Sequence, residues 1–301
     1  MCGQGQEILQ ITCDDDSPLE VGTVQLCATF DDPLRRRAED DAMRVGWRTI
    51  GILAALAVVG GCGTSESDDP GPPVGQAVLP DLVPAPPHDV HTRQKEGRWS
   101  LTFSSILVNV GDGEFVLRAT RDGAQWHVQQ KISYSESGAS PVAIDTPLVW
   151  GGDGHEHWHV PRVATNRLVA RAGKGEALRG KRARIDSKVG FCFFDFSRRL
   201  DNAPTEKVHS RESCGKRADE EISMGLSPGW GDTYEWVLPG QSIDLTGVPD
   251  GKYRLWAEAD QRRRFREVTS DNNVTWVDFR LSTVTGGTRT ALVLDVGPEP
   301  R

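Results

Sequence analysis

From about residue 80 the chain is patterned in twos. Leu101 and Phe103 alternate with polar residues, and Ile106, Val108 and Val110 resume the period after Ser104 and Ser105. A period of two places every second side chain on one face of a strand. The change of phase at Ser104-Ser105 predicts a bulge. Gly111, Asp112 and Gly113 form a turn, and residues 114–119 return as the next strand. Trp126, Val128, Ile132 and Tyr134 mark a further hairpin arm, and residues 146–150 lead into a histidine-rich strand that residues 167–170 are expected to pair with. Further strands are predicted over 185–195, 234–238, 242–245, 253–259 and 274–281, with turns at Pro239-Gly240, at Pro249-Asp250-Gly251 and at Asp271-Asn272. Residues 197–229 read as loop, with a short helix over 218–224. Many short strands with turns between them predict an all-β fold, a β-sandwich of short antiparallel strands with long irregular loops and few short helices.

The first 79 residues follow no such pattern. Residues 1–42 hold ten acidic and three basic residues, a balance of −7 out of the chain's −8. The remainder is near neutral and carries no basic stripe, which argues against a nucleic-acid partner. Met43 opens a secretory pattern: Arg44 and Arg48, then the uncharged run of residues 49–61, ending in Val59-Gly60-Gly61-Cys62. The run is short for a membrane span and suits a signal-peptide core. Its end resembles a bacterial lipobox, in which the cysteine carries the lipid. The expected organisation is an upstream extension over 1–42 with Met43 as the true start, a lipoprotein signal over 43–61, and a Gly, Ser, Asp and Pro-rich tether over 62–79. A catalytic sandwich over 80–283 and a C-terminal edge strand and tail over 284–301 complete it. The expected location is the cell envelope, with membrane contact only through a lipid anchor at Cys62.

Three of the seven histidines fall within five residues, as His155, His157 and His159. On a strand the three imidazoles leave one face together, while Glu156 and Trp158 point the other way. Imidazole suits copper, zinc, iron and nickel, and a tetragonal N,O set points to Cu(II). A helix would spread the three too widely to converge. The alternative is a solvated polar strand with incidental histidines. With residues 1–42 removed and Cys62 lipidated, Cys192 and Cys214 remain, an even pair in an exported protein, and a disulfide between them is expected.

Downstream of the histidines come Lys188-Val189-Gly190-Phe191-Cys192, then Gly225-Leu226-Ser227-Pro228-Gly229-Trp230-Gly231-Asp232-Thr233-Tyr234, then Gly251-Lys252-Tyr253 and Glu267-Val268-Thr269-Ser270-Asp271-Asn272-Asn273. In this order they resemble the catalytic domain of the lysyl oxidases, over roughly residues 80–282, with the G-L-S-P-G-x-x-D-T-Y run the most specific part. The resemblance implies copper held by His155, His157 and His159. It also implies a lysine tyrosylquinone cofactor built from Lys188 and Tyr234. The implied reaction is oxidative deamination of primary amines or peptidyl lysine by O2, giving aldehyde, ammonia and H2O2. Cross-linking needs a neutral lysine amine, and apolar Val189 and Phe191 beside Lys188 suit that need.

The chain departs from the animal enzymes in several places. Gly152 and Gly154 stand where those enzymes carry a histidine and a cysteine before the triad, and most of the family's other cysteines are missing. Lys188 and Tyr234 are 46 residues apart, a wider spacing than is usual in the family. These departures bear on substrate and disulfide pattern more than on cofactor. Asp232, two residues before Tyr234, shares its face on a strand; it is read either as the acceptor of the substrate's α-proton or as a turn aspartate capping its own backbone. Trp158 is read as core, the arginines at 262, 263, 264 and 266 as a solvated turn, and Glu267, Asp271, Asn272 and Asn273 as turn chemistry. A copper-binding envelope lipoprotein without oxidase activity is the alternative function; the Lys188–Tyr234 pair separates the two, because copper binding alone has no use for it.

Overall fold

The computed structural model describes residues 73–151, 156–172, 176–177, 184–186 and 190–301. The upstream extension, the signal segment, Cys62, most of the tether, His155 and Lys188 lie outside the described residues. The expectation of an all-β fold holds: the regular structure of the described residues is antiparallel strand, and the one helical element among them is a 3₁₀ turn at Arg211–Cys214.

The longest strand, Arg98–Asn109, organises a six-stranded sheet. Its N-terminal half pairs with His88–Lys95 and Ser242–Asp244, and its C-terminal half with Leu82–Pro84 and Trp230–Tyr234. A five-stranded sheet is built from Phe115–Asp122, Gln125–Tyr134 and Glu221–Leu226, with Ala139–Ile144 and Ala77–Val78 beside Gln125–Tyr134. A second six-stranded sheet runs Ala164–Ala172, Gly251–Ala259, Val274–Thr283 and Arg289–Val296, with Glu176–Ala177 and Arg184–Asp186 paired to Ala164–Ala172. As expected, Arg289–Val296 lies at a sheet edge.

The period of two explains how these sheets pack. Leu101, Phe103 and Leu107 share one face of the long strand. Leu101 and Phe103 enter a core with Leu255, Val277 and Phe279. Leu107 enters another with Phe115, Phe191, Phe193 and Tyr234. One face of one strand thus serves two cores, and Ser105 lies between them, opposite Tyr234. Each fully buried Leu or Phe in these layers contributes roughly 1.5–3 kcal/mol.

Four local expectations are corrected. The strand Arg98–Asn109 is continuous through Ser104-Ser105, and the irregularity sits on its neighbour, between His88 and His91, where Asp89 takes a positive φ. Residues 218–224 are not a helix. Glu221–Leu226 is a strand, with Ile222, Met224 and Leu226 buried and Glu221 and Ser223 exposed; pairing with Phe115–Asp122 overrides a helix-prone composition. Of the predicted strand over 185–195, residues 185 and 186 are strand, 187–189 lie outside the described residues, and 190–195 are irregular. Phe191, Cys192 and Phe193 are buried in succession, which a two-sided strand does not permit unless both faces are covered, and of the three Phe191 alone forms a β-bridge, to Val160. The strand at Tyr234 ends there, in a turn closed by the Leu238 N–H on the Glu235 carbonyl.

Candidate active site

His157 and His159 lie at a short antiparallel strand pair. Val149 pairs with His159 and Trp150 with Trp158, and the Gly151 N–H donates to the His157 carbonyl at 3.1 Å. Only Trp158–His159 is strand, with His157 at a bend before it, so the strand that the spacing predicts is shorter than expected. Its partner is Val149–Trp150; residues 167–170 pair with Gly251–Ala259 instead. The alternation survives across the bend. The His157 and His159 rings lie 4.5 Å apart, with the residues only 8% and 7% exposed. Trp158 points into the core as expected, edge-on to Trp126 and Trp150, and its indole N–H donates to the Lys216 carbonyl. Two adjacent, buried imidazoles fit a copper ion's preference for nitrogen donors. Among the described residues no group of three His, Cys, Asp or Glu side chains forms a metal site, and the motif's remaining imidazole, His155, lies outside them.

The next segment brings the candidate tyrosine in. Val160 and Phe191 exchange both backbone hydrogen bonds, at 2.7 and 3.0 Å, which lays residues 190–192 along the histidine segment. The approach is close: a Cβ on Gly190 would stand 3.1 Å from the His159 Cβ. Gly190 follows Lys188 by two residues. Tyr234 completes the group from the strand Trp230–Tyr234. Its ring lies 4.6 Å from Phe191 and 6.2 Å from His159. Its hydroxyl accepts the Cys192 N–H at 3.1 Å, a bond buried from water. The expected disulfide joins Cys192 to Cys214, both fully buried, and ties this donor to the 3₁₀ turn.

Asp232 shares the Tyr234 face, as the spacing predicts, opposite Leu107. It is fully buried and is no turn residue. No side chain among the described residues hydrogen-bonds its carboxylate. Burial drives its pKa well above the usual carboxylate range, and nearby Asp195 adds to the rise; the adjacent Thr233 N–H opposes it without offsetting it.

The motif residues before Tyr234 are held by a carboxylate that sequence reasoning missed. Asp195 accepts from the Ser227 N–H and hydroxyl, both at 2.8 Å, and from the Val208 and His209 N–H groups. Gly229, at φ +75°, donates its N–H to the Asn109 carbonyl, and a Cβ there would stand 2.6 Å from that of Ala203. The turn that delivers Trp230–Tyr234 therefore needs both Ser227 and Gly229. Its one mark in the sequence is an acidic residue set among Phe193, Phe194 and Phe196.

Two further expectations change. Arg264 is not a solvated turn residue: it pairs with buried Asp260 and donates to Thr146 and to the Pro161 and Arg162 carbonyls, pinning both ends of the histidine strand pair. Arg262, Arg263 and Arg266 are exposed, as expected. Glu267 also leaves the turn chemistry assigned to it. It accepts from the Leu82 N–H and the Asn273 side chain, and burial raises its pKa to about 7. Of the four histidines outside the motif, His88, His91 and His127 are exposed, with His91 tilted against Trp236, and His209 packs on Gly225 near Glu114.

No curated protein matches the chain. The lysyl oxidase family model matches residues 148–287, a stretch that contains the histidine strand pair, the Cys192 segment and the strand bearing Asp232 and Tyr234. Residues 148–287 are thus a domain of the lysyl oxidase family.

Proposed function

We propose that this chain is a copper-dependent amine oxidase. It converts primary amines or peptidyl lysine, with O2 and water, to aldehyde, ammonia and H2O2. The observation that carries this reading is the convergence of His157, His159 and Tyr234 from separate parts of the chain into one buried group. His155, His157 and His159 would hold copper. Lysine tyrosylquinone, formed from Lys188 and Tyr234, would supply the redox chemistry when present.

The other residues bind, orient and move protons. The Cys192 N–H fixes the Tyr234 hydroxyl and so the rotation of its ring. Phe191 and the surrounding core keep water from the ring's face, which strengthens each electrostatic contact there. Asp232 is the proton acceptor. Burial raises its pKa, and a carboxylate with a raised pKa is a stronger base once ionised. It lies two residues from Tyr234 on the same strand, and no side chain among the described residues hydrogen-bonds its carboxylate.

Metal content tests the ligand set. Purified protein should hold close to one copper per chain. His157→Ala and His159→Ala should each weaken copper at least about 100-fold, beyond what the loss of a ligand's supporting partner costs. Elemental analysis after dialysis reads the result. Full copper occupancy in the triple His155→Ala, His157→Ala, His159→Ala variant would place the ligands elsewhere.

A further inference from the structure

The sheet containing Gly251–Ala259 turns Tyr253, Leu255, Ala257 and Ala259 inward and Lys252, Arg254, Trp256 and Glu258 outward. Register sets two adjacent rungs on the outward face: Arg167, Trp256 and Trp276, then Thr165, Glu258 and Val274. All of these but Trp276, together with Gln261, line a cavity of about 340 Å³. This is within the size range of small-molecule sites. None of these residues takes part in the histidine–tyrosine group.

The cavity is backed by a fixed aromatic ring. Arg254 makes two hydrogen bonds to Asp278, at 2.7 and 2.9 Å. Its guanidinium lies 3.6 Å from the centre of the Trp276 ring and 4.9 Å from that of Trp256. Arg254 and Glu258 flank Trp256 along the strand, so the ring is supported on the Arg254 side and meets the cavity on the Glu258 side. The rim is also ordered: Gln261 donates to Glu258 at 3.3 Å, and the Thr165 hydroxyl reaches Gln261 at 3.5 Å.

The lining selects a ligand class. An anion would face Glu258, and an ammonium group would face Arg167. A hydroxyl both donates and accepts, so a row of hydroxyls satisfies Arg167, Glu258 and Gln261 together. The electron-rich indole face favours a partner presenting polarised C–H groups. A sugar ring combines both properties. We propose that this outward cavity is a binding site for a neutral saccharide, its ring stacked on Trp256 and its hydroxyls held by Arg167, Glu258 and Gln261.

The test titrates the full-length protein with chitotetraose and, separately, maltotetraose, following heat and the indole N–H resonance of Trp256. Saturable binding of at least one, with Kd on the order of 1 mM or tighter, is expected together with a shift of that resonance. Trp256→Ala should weaken it at least about tenfold, the loss of roughly 1.4 kcal/mol. Arg167→Ala and Gln261→Ala, on the exposed rim, should weaken it too, and they keep the test valid if Trp256→Ala does not fold. Copper content and amine-dependent H2O2 production should not change in the rim variants. No saturable binding of either sugar, binding that survives these substitutions, or saturation by inorganic phosphate or butylamine in place of sugar would overturn the proposal.

Discussion

Tyr234→Phe should retain copper and the fold but lose amine-dependent H2O2 production by more than about 10⁴-fold, a large part of the acceleration of at least roughly 10⁶ that enzymes supply. The aromatic ring remains, so its contacts with Phe191 and His159 persist. The hydroxyl is lost, and with it the only oxygen from which a tyrosine-derived quinone starts. The buried Cys192 N–H also loses its acceptor, at a cost of about 1–3 kcal/mol. A modest fall in thermal stability should therefore accompany a complete loss of turnover. Coupled peroxidase assays on copper-loaded protein, beside elemental analysis and a melting curve, separate these effects. If the variant kept a tenth of the activity, Tyr234 would not be the cofactor precursor.

The second large effect is expected from the disulfide. Cys192 and Cys214 are 22 residues apart in sequence, and both are fully buried. Closing a loop of this length restricts the unfolded chain by about 3 kcal/mol. Replacing both with alanine should cost about that much, lowering Tm by roughly 6–12 °C for a domain of this size. The effect should extend to activity, because the backbone at Cys192 holds the Tyr234 hydroxyl. Loosening that donor frees the ring to rotate, and initial rates should fall even well below Tm. A Cys192→Ala, Cys214→Ala variant with unchanged Tm and unchanged rate would show that the bond neither stabilises the fold nor orients the site.

Much of this was legible in the chain because it depended on short-range periodicity. Two-residue spacing placed His157 with His159, Trp158 opposite them, and Asp232 with Tyr234, and the structure keeps all three relations. The same period was present in Ile222, Met224 and Leu226, but a helix-prone composition obscured it until Phe115–Asp122 supplied a partner strand. Contacts distant in sequence left no local mark. Asp195 reaches Ser227 across 32 residues, and Arg264 reaches Thr146 across 118. Glu267 looked like part of a turn because its neighbours are Ser, Asp and Asn, yet the Leu82 N–H, 185 residues away, holds it in the interior. Phe191 to Phe193 looked like a strand because they are apolar, whereas the disulfide and the Val160 bridge decide their path.

The proposed oxidase requires Lys188 and Tyr234 to form one cofactor. Peptide mapping of copper-loaded, aerated protein tests it most directly. A proteolytic digest should contain a branched peptide joining the segments around Lys188 and Tyr234. It should show visible quinone absorbance that phenylhydrazine alters, and Lys188→Ala should remove the branch while copper remains bound. If the digest instead yields the two segments as separate, unmodified peptides, the amine oxidase reading fails and a copper-binding protein without that chemistry takes its place.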